Sequence, residues 1–180
     1  MISLKELYRI GHGPSSSHTM GPRNAAIQFL ARYPQAIRFE VTLYGSLAAT
    51  GEGHMTDKAI LSILGQDRTI ILWEPKLFLP FHPNGMKFCA LDTEDQKIAE
   101  WTVYSVGGGA LAEEGDAPIE RKQIYNMNTA TEILSWCIST GKSYWEYVEE
   151  CEGPEIWDYL LEVWTTMKEA VQRGLEQEGV

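Results

Sequence analysis

The stretch RFEVTLY, residues 38–44, alternates apolar and polar side chains along its whole length. Phe39, Val41 and Leu43 fall on one face of an extended chain, and the polar side chains fall on the other. A period of two is typical of a strand that rests one face on a core. We therefore predict a half-buried strand over residues 38–44.

Helical signals lie on both sides of this strand. Pro22 suits the first turn of a helix that runs to about Ala31, and its apolar residues recur at helical spacing. Lys58–Leu64 has the pattern of a short apolar helix, and Asp57 places a negative charge at its amino end. The first half of the chain is thus predicted to alternate helices and strands.

Further strand signals follow residue 68. Thr69–Trp73 is a continuous apolar run, which predicts a more buried strand. Lys76–Phe81 and Met86–Leu91 flank Asn84-Gly85, a strong short-range signal for a hairpin.

One more strand, Ile98–Val106, ends at three consecutive glycines, where the backbone can bend or approach a neighbour closely. Residues 112–120 then contain Glu113, Glu114 and Asp116 together with Gly115 and Pro118. This composition predicts an exposed loop.

The final third of the chain is predicted to be helical. Thr129 with Glu132, and Ser143 with Glu146, have the spacing of capping boxes. The helices that they open span about 130–139 and 144–151, and a glycine follows each one.

A longer helix is predicted from Pro154 to about Gln177. Its apolar stripe consists of Trp157, Leu160, Leu161, Trp164, Met167, Val171 and Leu175. We interpret this stripe as core packing, and the alternative is a surface for a partner.

The charge balance excludes some classes of function. The chain of 180 residues has a formal net charge of −10, which argues against binding to nucleic acid or to an anionic membrane. No apolar run approaches the roughly 18 residues of a membrane span, and the start lacks the apolar core of a signal peptide. We therefore expect a cytoplasmic protein.

Three cysteines, Cys89, Cys137 and Cys151, are spaced too widely to resemble a zinc pair or a cluster-binding pair. An odd and sparse set is typical of reduced thiols in a cytoplasmic protein. We expect all three to be buried structural residues.

Two histidines lie in loops that each open a predicted helix. His18 belongs to a run of glycine, proline, serine and threonine over residues 11–23, and His54 follows two glycines just before the helix at 58–64. Such a loop either binds an anion through backbone N–H groups and hydroxyls or is simply a capped turn. Imidazole is the natural general base for a proton beside a carboxylate, but spacing does not show whether the loops meet.

Four ordered segments resemble the iron–sulfur-dependent L-serine dehydratases. They are IGHGPSSSHTMGPRNAA, LYGSLAATGEGHMTDKA, FHPNGMKF and YSVGGG, and they extend over residues 10–109. His12 departs from the pattern, which commonly has an aliphatic residue there, and Met55 stands where glycine is frequent. The chain thus resembles the N-terminal, beta-type domain of that family.

The resemblance implies conversion of L-serine to pyruvate and ammonia with a 4Fe-4S cluster instead of pyridoxal phosphate. One iron of the cluster would act as a Lewis acid on the serine hydroxyl. The cluster ligands would lie in an alpha-type domain or subunit, because no matching cysteine set occurs here. We therefore expect residues 1–180 to bind no metal or cofactor and to be inactive alone. The expected partners are L-serine, the alpha domain or subunit, and further copies in a homo-oligomer.

Site residues follow from the same resemblance. His54 is expected to be the base, and His18 to position the substrate or assist proton transfer. The substrate carboxylate would be bound by Ser15, Ser16, Ser17 and Thr19, and the His54 loop would be supported by Thr56, Asp57 and Lys58. His82 and Asn84 are further candidates, for which a simple hairpin turn is the alternative.

The implied fold is α+β, with a mixed β-sheet, packed helices and a C-terminal helical segment. It is similar to the allosteric substrate-binding domain of phosphoglycerate dehydrogenase. We expect a beta-type domain over residues 1–127 and a helical segment over residues 128–180 that leads to the alpha domain. The competing hypothesis is a regulatory module that binds serine or an anion without chemistry of its own.

Overall fold

The computed structural model describes residues 1–116 and 122–178. The helices are α1 (Leu4–Leu7), α2 (Gly21–Arg32), α3 (Gly45–Thr50), α4 (Thr56–Leu64), α5 (Ala130–Thr140), α6 (Tyr144–Glu152) and α7 (Ile156–Glu176). The strands are β1 (Arg38–Tyr44), β2 (Thr69–Glu74), β3 (Gly85–Leu91), β4 (Lys97–Gly107) and β5 (Ala110–Ala112). A π-helical turn, Ser16–Met20, precedes α2, and a 3₁₀ turn, Gln66–Arg68, precedes β2.

Two compact units divide the chain. One comprises Gly11–Ala117, and the other combines Met1–Ile10 with Pro118–Val180. The first unit contains the sheet and the second contains helices α1 and α5 to α7. Each unit has a hydrophobic core of its own.

The α/β unit is built on a five-stranded mixed sheet with the order β2-β1-β3-β4-β5. β1 and β2 are parallel, and the remaining neighbours are antiparallel. A parallel pair requires a crossover, and α3 and α4 provide it. The predicted α+β class with a mixed sheet is confirmed.

The β1 strand lies inside this sheet and has the predicted bounds. Phe39, Val41 and Leu43 are buried as expected, but Thr42 and Tyr44 of the opposite face are buried too. The prediction of a half-buried strand therefore holds only for the first part of β1. Because both faces of β1 are buried at its carboxyl end, the chain enters α3 from the interior of the α/β unit.

The predicted helix at Pro22 is α2, and it covers the sheet with an aromatic side chain. The Phe29 ring is fully buried and its centroid lies 6.1 Å from that of Phe39, 5.4 Å from that of Phe88 and 6.2 Å from that of Trp101. These distances are within the range of favourable aromatic pairs. The cluster joins α2 to three strands of the sheet.

The prediction of a more buried strand at residues 69–73 is wrong. β2 is an edge strand that pairs only with β1, and its residues alternate between partial burial and exposure. Ile70 is 61% exposed, whereas Ile71 and Trp73 pack against the core. A continuous apolar run does not distinguish a buried strand from an edge strand with one apolar face outward.

The hairpin predicted around Asn84-Gly85 is also wrong. β3 begins at Gly85, but residues 76–81 form no strand. β3 already pairs with β1 on one side and β4 on the other, so no edge is free for a third strand. The hairpin of this sheet connects β3 to β4 instead, and β4 confirms the strand predicted at 98–106.

The helical unit confirms the three helices predicted for the final third. Both capping boxes form, from Thr129 with Glu132 and from Ser143 with Glu146. The core of this unit contains Tyr125, Ile133 and Tyr147. Its helices therefore begin at the positions that the capping pattern indicates.

The apolar stripe of α7 is mostly exposed, which contradicts its interpretation as core packing. Leu161 is 62% exposed, Trp164 is 55% exposed, and Leu175 is 78% exposed. Only Ile156 and Val163 of this helix are buried, and neither belongs to the predicted stripe. An apolar helical period indicates a covered face, but it does not say which molecule covers it.

The cysteines differ in burial. Cys89 is buried in β3, whereas Cys137 and Cys151 are half-buried, so the expectation of three buried thiols holds for Cys89 alone. Residues 113–116 form the expected exposed loop, and Pro118 lies outside the described residues. Among the described residues, no helix is both long and apolar enough to cross a bilayer.

Candidate functional site

The two histidine loops meet in the α/β unit. The imidazole rings of His18 and His54 lie with their centroids 4.8 Å apart and their planes tilted by 35°. His18 belongs to the π-helical turn before α2, and His54 belongs to the turn before α4. The packing of α2 against α4 brings the two turns together. Two histidines 36 positions apart in sequence thus form one pair.

Two threonine hydroxyls tie the loops to each other. Thr19 donates its hydroxyl hydrogen to the backbone oxygen of His54 at 2.7 Å, and Thr56 donates to the backbone oxygen of His18 at 2.5 Å. Each loop therefore supplies a donor to the carbonyl group of the other loop's histidine. Both threonines are buried, so these bonds are shielded from competing water. The relative position of the two rings is fixed by this exchange.

His54 has a defined tautomer. Its Nδ1 atom lies 2.9 Å from the backbone oxygen of Thr50, which can only accept a hydrogen bond. Nδ1 therefore carries the hydrogen, and Nε2 has the free lone pair in the neutral ring. Met55, which follows His54, adopts a left-handed conformation with φ of 55°. Residues other than glycine seldom adopt that conformation, so Met55 imposes a constrained backbone on the turn that contains His54.

His18 is held at both ring nitrogens by hydroxyl groups. Its Nδ1 atom is 2.9 Å from the Ser17 hydroxyl, and its Nε2 atom is 3.1 Å from the Ser46 hydroxyl. Burial lowers the pKa of His18 below its usual value, the neighbouring His54 lowers it further, and the hydrogen bond to Ser46 opposes these effects. His18 is thus held in its neutral form at neutral pH.

Ser46 is a site residue that the sequence analysis did not select. It follows Gly45 at the carboxyl end of β1, within the second segment of the resemblance. Gly45 has φ of +49°, and a Cβ atom there would lie 2.7 Å from the backbone oxygen of Pro83. Only glycine allows this approach, and a Gly-Ser pair directly after a buried strand is the signal that could have identified the turn.

The His82 loop approaches the same turn through its backbone. The Ser46 N–H group donates to the backbone oxygen of Pro83 at 3.1 Å. The side chains of His82 and Asn84 serve the loop itself, because Nδ1 of His82 accepts from the Asn84 N–H group and the Asn84 amide donates to the Ser105 carbonyl oxygen. The structure thus places this loop beside the Ser46 turn and gives both side chains a local structural contact.

The three serines before His18 differ in their contacts. The Ser15 hydroxyl accepts a hydrogen bond from the His18 N–H group, and the Ser17 hydroxyl contacts the His18 ring. Ser16 is exposed. In the other loop, Asp57 has a buried carboxylate oxygen without a hydrogen-bond partner among the described residues, and Lys58 is exposed.

The described residues contain no group of three or more histidine, cysteine or acidic side chains that could hold a metal ion. Cys89 lies in a strand of the α/β unit, whereas Cys137 and Cys151 belong to the helical unit. This set does not fit the four thiolates that usually hold an iron–sulfur cluster. The arrangement instead offers two imidazole rings with hydroxyl groups around them, which suits binding and proton transfer.

The fold and the site define a mixed α+β domain with two cross-tied histidine loops. Its sequence matches the family described as serine dehydratase beta chain over residues 3–69 and 62–116. It is 34% identical to L-serine dehydratase 1 of Escherichia coli, with all of this chain and 50% of the relative covered. It is 32% identical to an L-serine dehydratase of Streptomyces coelicolor, with 99% of this chain and 51% of the relative covered. The chain belongs to the serine dehydratase beta chain family.

The chain spans about half the length of the curated relatives that it matches. The alignment with the E. coli protein extends over 230 positions, 50 more than the 180 residues of this chain. The relatives therefore have additional residues inside the matched region. The two segments of the family match meet at residues 62–69, between α4 and β2.

Proposed function

We propose that this chain is the beta-domain part of an L-serine dehydratase, which converts L-serine to pyruvate and ammonia. The observation that carries the proposal is the histidine pair, whose ring centroids lie 4.8 Å apart. A threonine hydroxyl of each loop donates a hydrogen bond to the backbone oxygen of the histidine in the other loop. The names of the related L-serine dehydratases support serine as the substrate.

His54 is the base in this proposal. Its Nδ1–H group donates to the Thr50 carbonyl oxygen, so Nε2 is free to accept the α-proton of serine. The imidazolium that forms keeps its bond to the Thr50 carbonyl oxygen, which stabilises the positive charge. A base held in one tautomer and one orientation needs no rearrangement before proton transfer.

His18 positions the substrate beside that base. Its lowered pKa keeps it neutral, so it does not repel the imidazolium that forms on His54. Ser17 and Ser46 hold its two ring nitrogens and thereby fix the plane of the ring.

The loop Ser15–Thr19 binds the substrate carboxylate. Ser15, Ser17 and Thr19 already form hydrogen bonds that shape the loop, so Ser16 is the hydroxyl best placed to contact a ligand. Thr56 and Asp57 support the facing loop. His82 and Asn84 border the site through the contact of Pro83 with Ser46.

The 4Fe-4S cluster of the resembling family belongs in this proposal to the alpha-type domain or subunit, because the cysteines here do not fit it. This chain would supply the base and the carboxylate-binding loop to a shared active site. A cytoplasmic location and a homo-oligomeric assembly are further parts of the proposal.

The test is a substitution of His54 by alanine in the enzyme assembled from this chain and its cluster-bearing domain or subunit. We expect turnover of L-serine to fall by about 10²–10⁴-fold, the usual contribution of a general base. The absorption spectrum of the cluster should be unchanged, and added imidazole should restore part of the activity. Lys76→Gln, on the exposed loop after β2, serves as the matched control with normal turnover.

Near-normal turnover in His54→Ala would rule out His54 as the base. If serine then still bound to the loops with unchanged affinity and altered the activity of the partner domain, the regulatory interpretation of this chain would be correct. Titration of the 180-residue chain with L-serine, monitored by amide resonances of residues 15–19, measures that binding directly.

A further inference from the structure

A cavity of about 340 Å³ borders the two histidine loops at Thr19 and Met55. Arg23 of α2 and Lys58 of α4 line it, and His12 forms part of its wall. No carboxylate is among the lining residues, all of which the structure describes. The cavity is therefore a positively charged recess in a protein whose formal net charge is −10.

The two cations of this cavity have no protein partner. Within residues 1–116 and 122–178, neither Arg23 nor Lys58 forms a hydrogen bond or an ion pair. Arg23 is half-buried, unlike Arg38, which is exposed and pairs with Asp95. A partly desolvated guanidinium without an acceptor is unfavourable, and a bound anion would remove that penalty.

We propose that this cavity binds a small, multiply charged oxyanion, either a phosphate ester or a di- or tricarboxylate. The guanidinium of Arg23 offers paired donors to two oxygens of one group, and the Lys58 ammonium offers a point charge to the same or a second group. Ser62 adds a hydroxyl at the wall. The volume lies within the range of small-molecule sites.

The ligand of this site would contact both histidine loops. Thr19 and Met55 line the cavity, and each directly follows one of the paired histidines. Thr19 also donates its hydroxyl to the His54 carbonyl oxygen, so it joins the cavity wall to the ring pair. An anion here is thus an effector that biases the position of the two loops, and its binding does not depend on the catalytic role proposed for His54.

The experiment is a titration of the 180-residue chain with inorganic phosphate and, separately, with malonate, at constant ionic strength. Amide resonances would be monitored by two-dimensional NMR. We expect saturable shifts at Thr19, Met55, Lys58 and Ser62. The tighter of the two ligands identifies whether phosphate or carboxylate groups are preferred.

Arg23→Gln should weaken this binding at least tenfold, since it removes a charge-assisted contact of the strong kind. Lys58→Gln provides a second variant at an exposed position, in case loss of Arg23 disturbs folding. Lys76→Gln removes one charge from an exposed loop of the same unit and should leave the affinity unchanged.

Three results would overturn the proposal. One is the absence of saturation for both anions, and another is equal affinity in the wild type and both cavity variants. The third is a set of shifts confined to Ser15, Ser16 and Ser17 that persists in Arg23→Gln, which would place the anion in the loop assigned to the substrate. That third result would leave the proposed catalytic function standing.

Discussion

Each histidine of the pair has surroundings that suit a different task. His54 donates through Nδ1 to a carbonyl oxygen and keeps Nε2 free, whereas both nitrogens of His18 face hydroxyl groups. Burial and the neighbouring ring disfavour a positive charge on His18. At the scale of single residues, the two rings therefore differ in their surroundings, which is the basis of the different roles proposed for them.

Removing the second ring should raise the pKa of His18. In His54→Asn, the pKa of His18 is expected to move back toward its usual value of about 6.5 but to stay below it, because the larger effect of burial remains. Histidine proton resonances followed over a pH titration measure this value. An unchanged His18 titration would show that the rings do not interact.

The same lowered pKa makes stability depend on pH. The unfolded chain binds the His18 proton more tightly than the folded chain, so the free energy of unfolding decreases as the pH falls below about 6.5. His18→Asn has no imidazole at this position, so its free energy of unfolding should decrease less between about pH 7.5 and pH 5.5. Urea unfolding at several pH values provides the measurement.

The buried threonine Thr56 allows the loop-to-loop bond to be tested alone. Thr56→Val keeps the shape of the side chain but deprives the His18 carbonyl oxygen of its donor, which should cost about 1–3 kcal/mol of unfolding free energy. Thr56→Ser retains the hydroxyl and should also retain the ring resonances of His18. Equal stability of the two variants would contradict a contribution from this hydrogen bond.

At the scale of elements, turns at the ends of buried elements build the site. Three turns each contribute one side chain to the site: the π-helical turn before α2 contributes His18, the turn before α4 contributes His54, and the first turn of α3 contributes Ser46. Rigid elements fix these turns, so the side chains need little ordering of their own. The long helix α7 is different, because it exposes an apolar stripe in its own unit.

The exposure of this stripe separates surface residues of α7 from core residues. Leu161→Ser and Trp164→Ser should each change the unfolding free energy by less than about 0.5 kcal/mol, because both side chains are more than half exposed. Ile156→Ala, at a fully buried position, should cost about 2–5 kcal/mol. Thermal unfolding followed by circular dichroism compares the three variants. A large decrease of the unfolding free energy in Leu161→Ser would support core packing as the role of the stripe, whereas a small decrease favours a surface for a partner.

At the scale of the whole molecule, two units with separate cores correspond to about half of a longer relative. The two segments of the family match overlap at residues 62–69, which include the end of α4 and the start of the edge strand β2. In the proposed function the chain would provide one side of an active site, and its described residues contain no group of three or more side chains that could hold a metal ion.

Cluster reconstitution tests that division of roles. After anaerobic incubation with ferrous iron and sulfide and removal of the excess, the chain should remain colourless and retain far less than one iron per molecule, because cluster assembly needs several converging thiolates. Iron and sulfide assays provide the measurement, and a protein with a known 4Fe-4S cluster is the positive control. Stoichiometric iron and sulfide in this chain would contradict the assignment of the cluster to the alpha-type domain.

The sequence by itself determined local structure and the family. The alternation of residues 38–44, the capping boxes and the ordered segments around His18 and His54 depend on near neighbours, and β1, both capped helices and the family match agree with them. Local interactions act over a few residues, so a linear pattern is enough to reveal them.

Only the tertiary structure decided which segments meet. The pairing of β3 with β1 and β4 excluded the predicted hairpin, the edge position of β2 left Ile70 exposed, and α7 kept its stripe uncovered. The contact of His18 with His54, and the role of Ser46 beside it, likewise depend on elements that are distant in sequence. Such contacts are set by the packing of whole elements, and no short window of sequence contains that information.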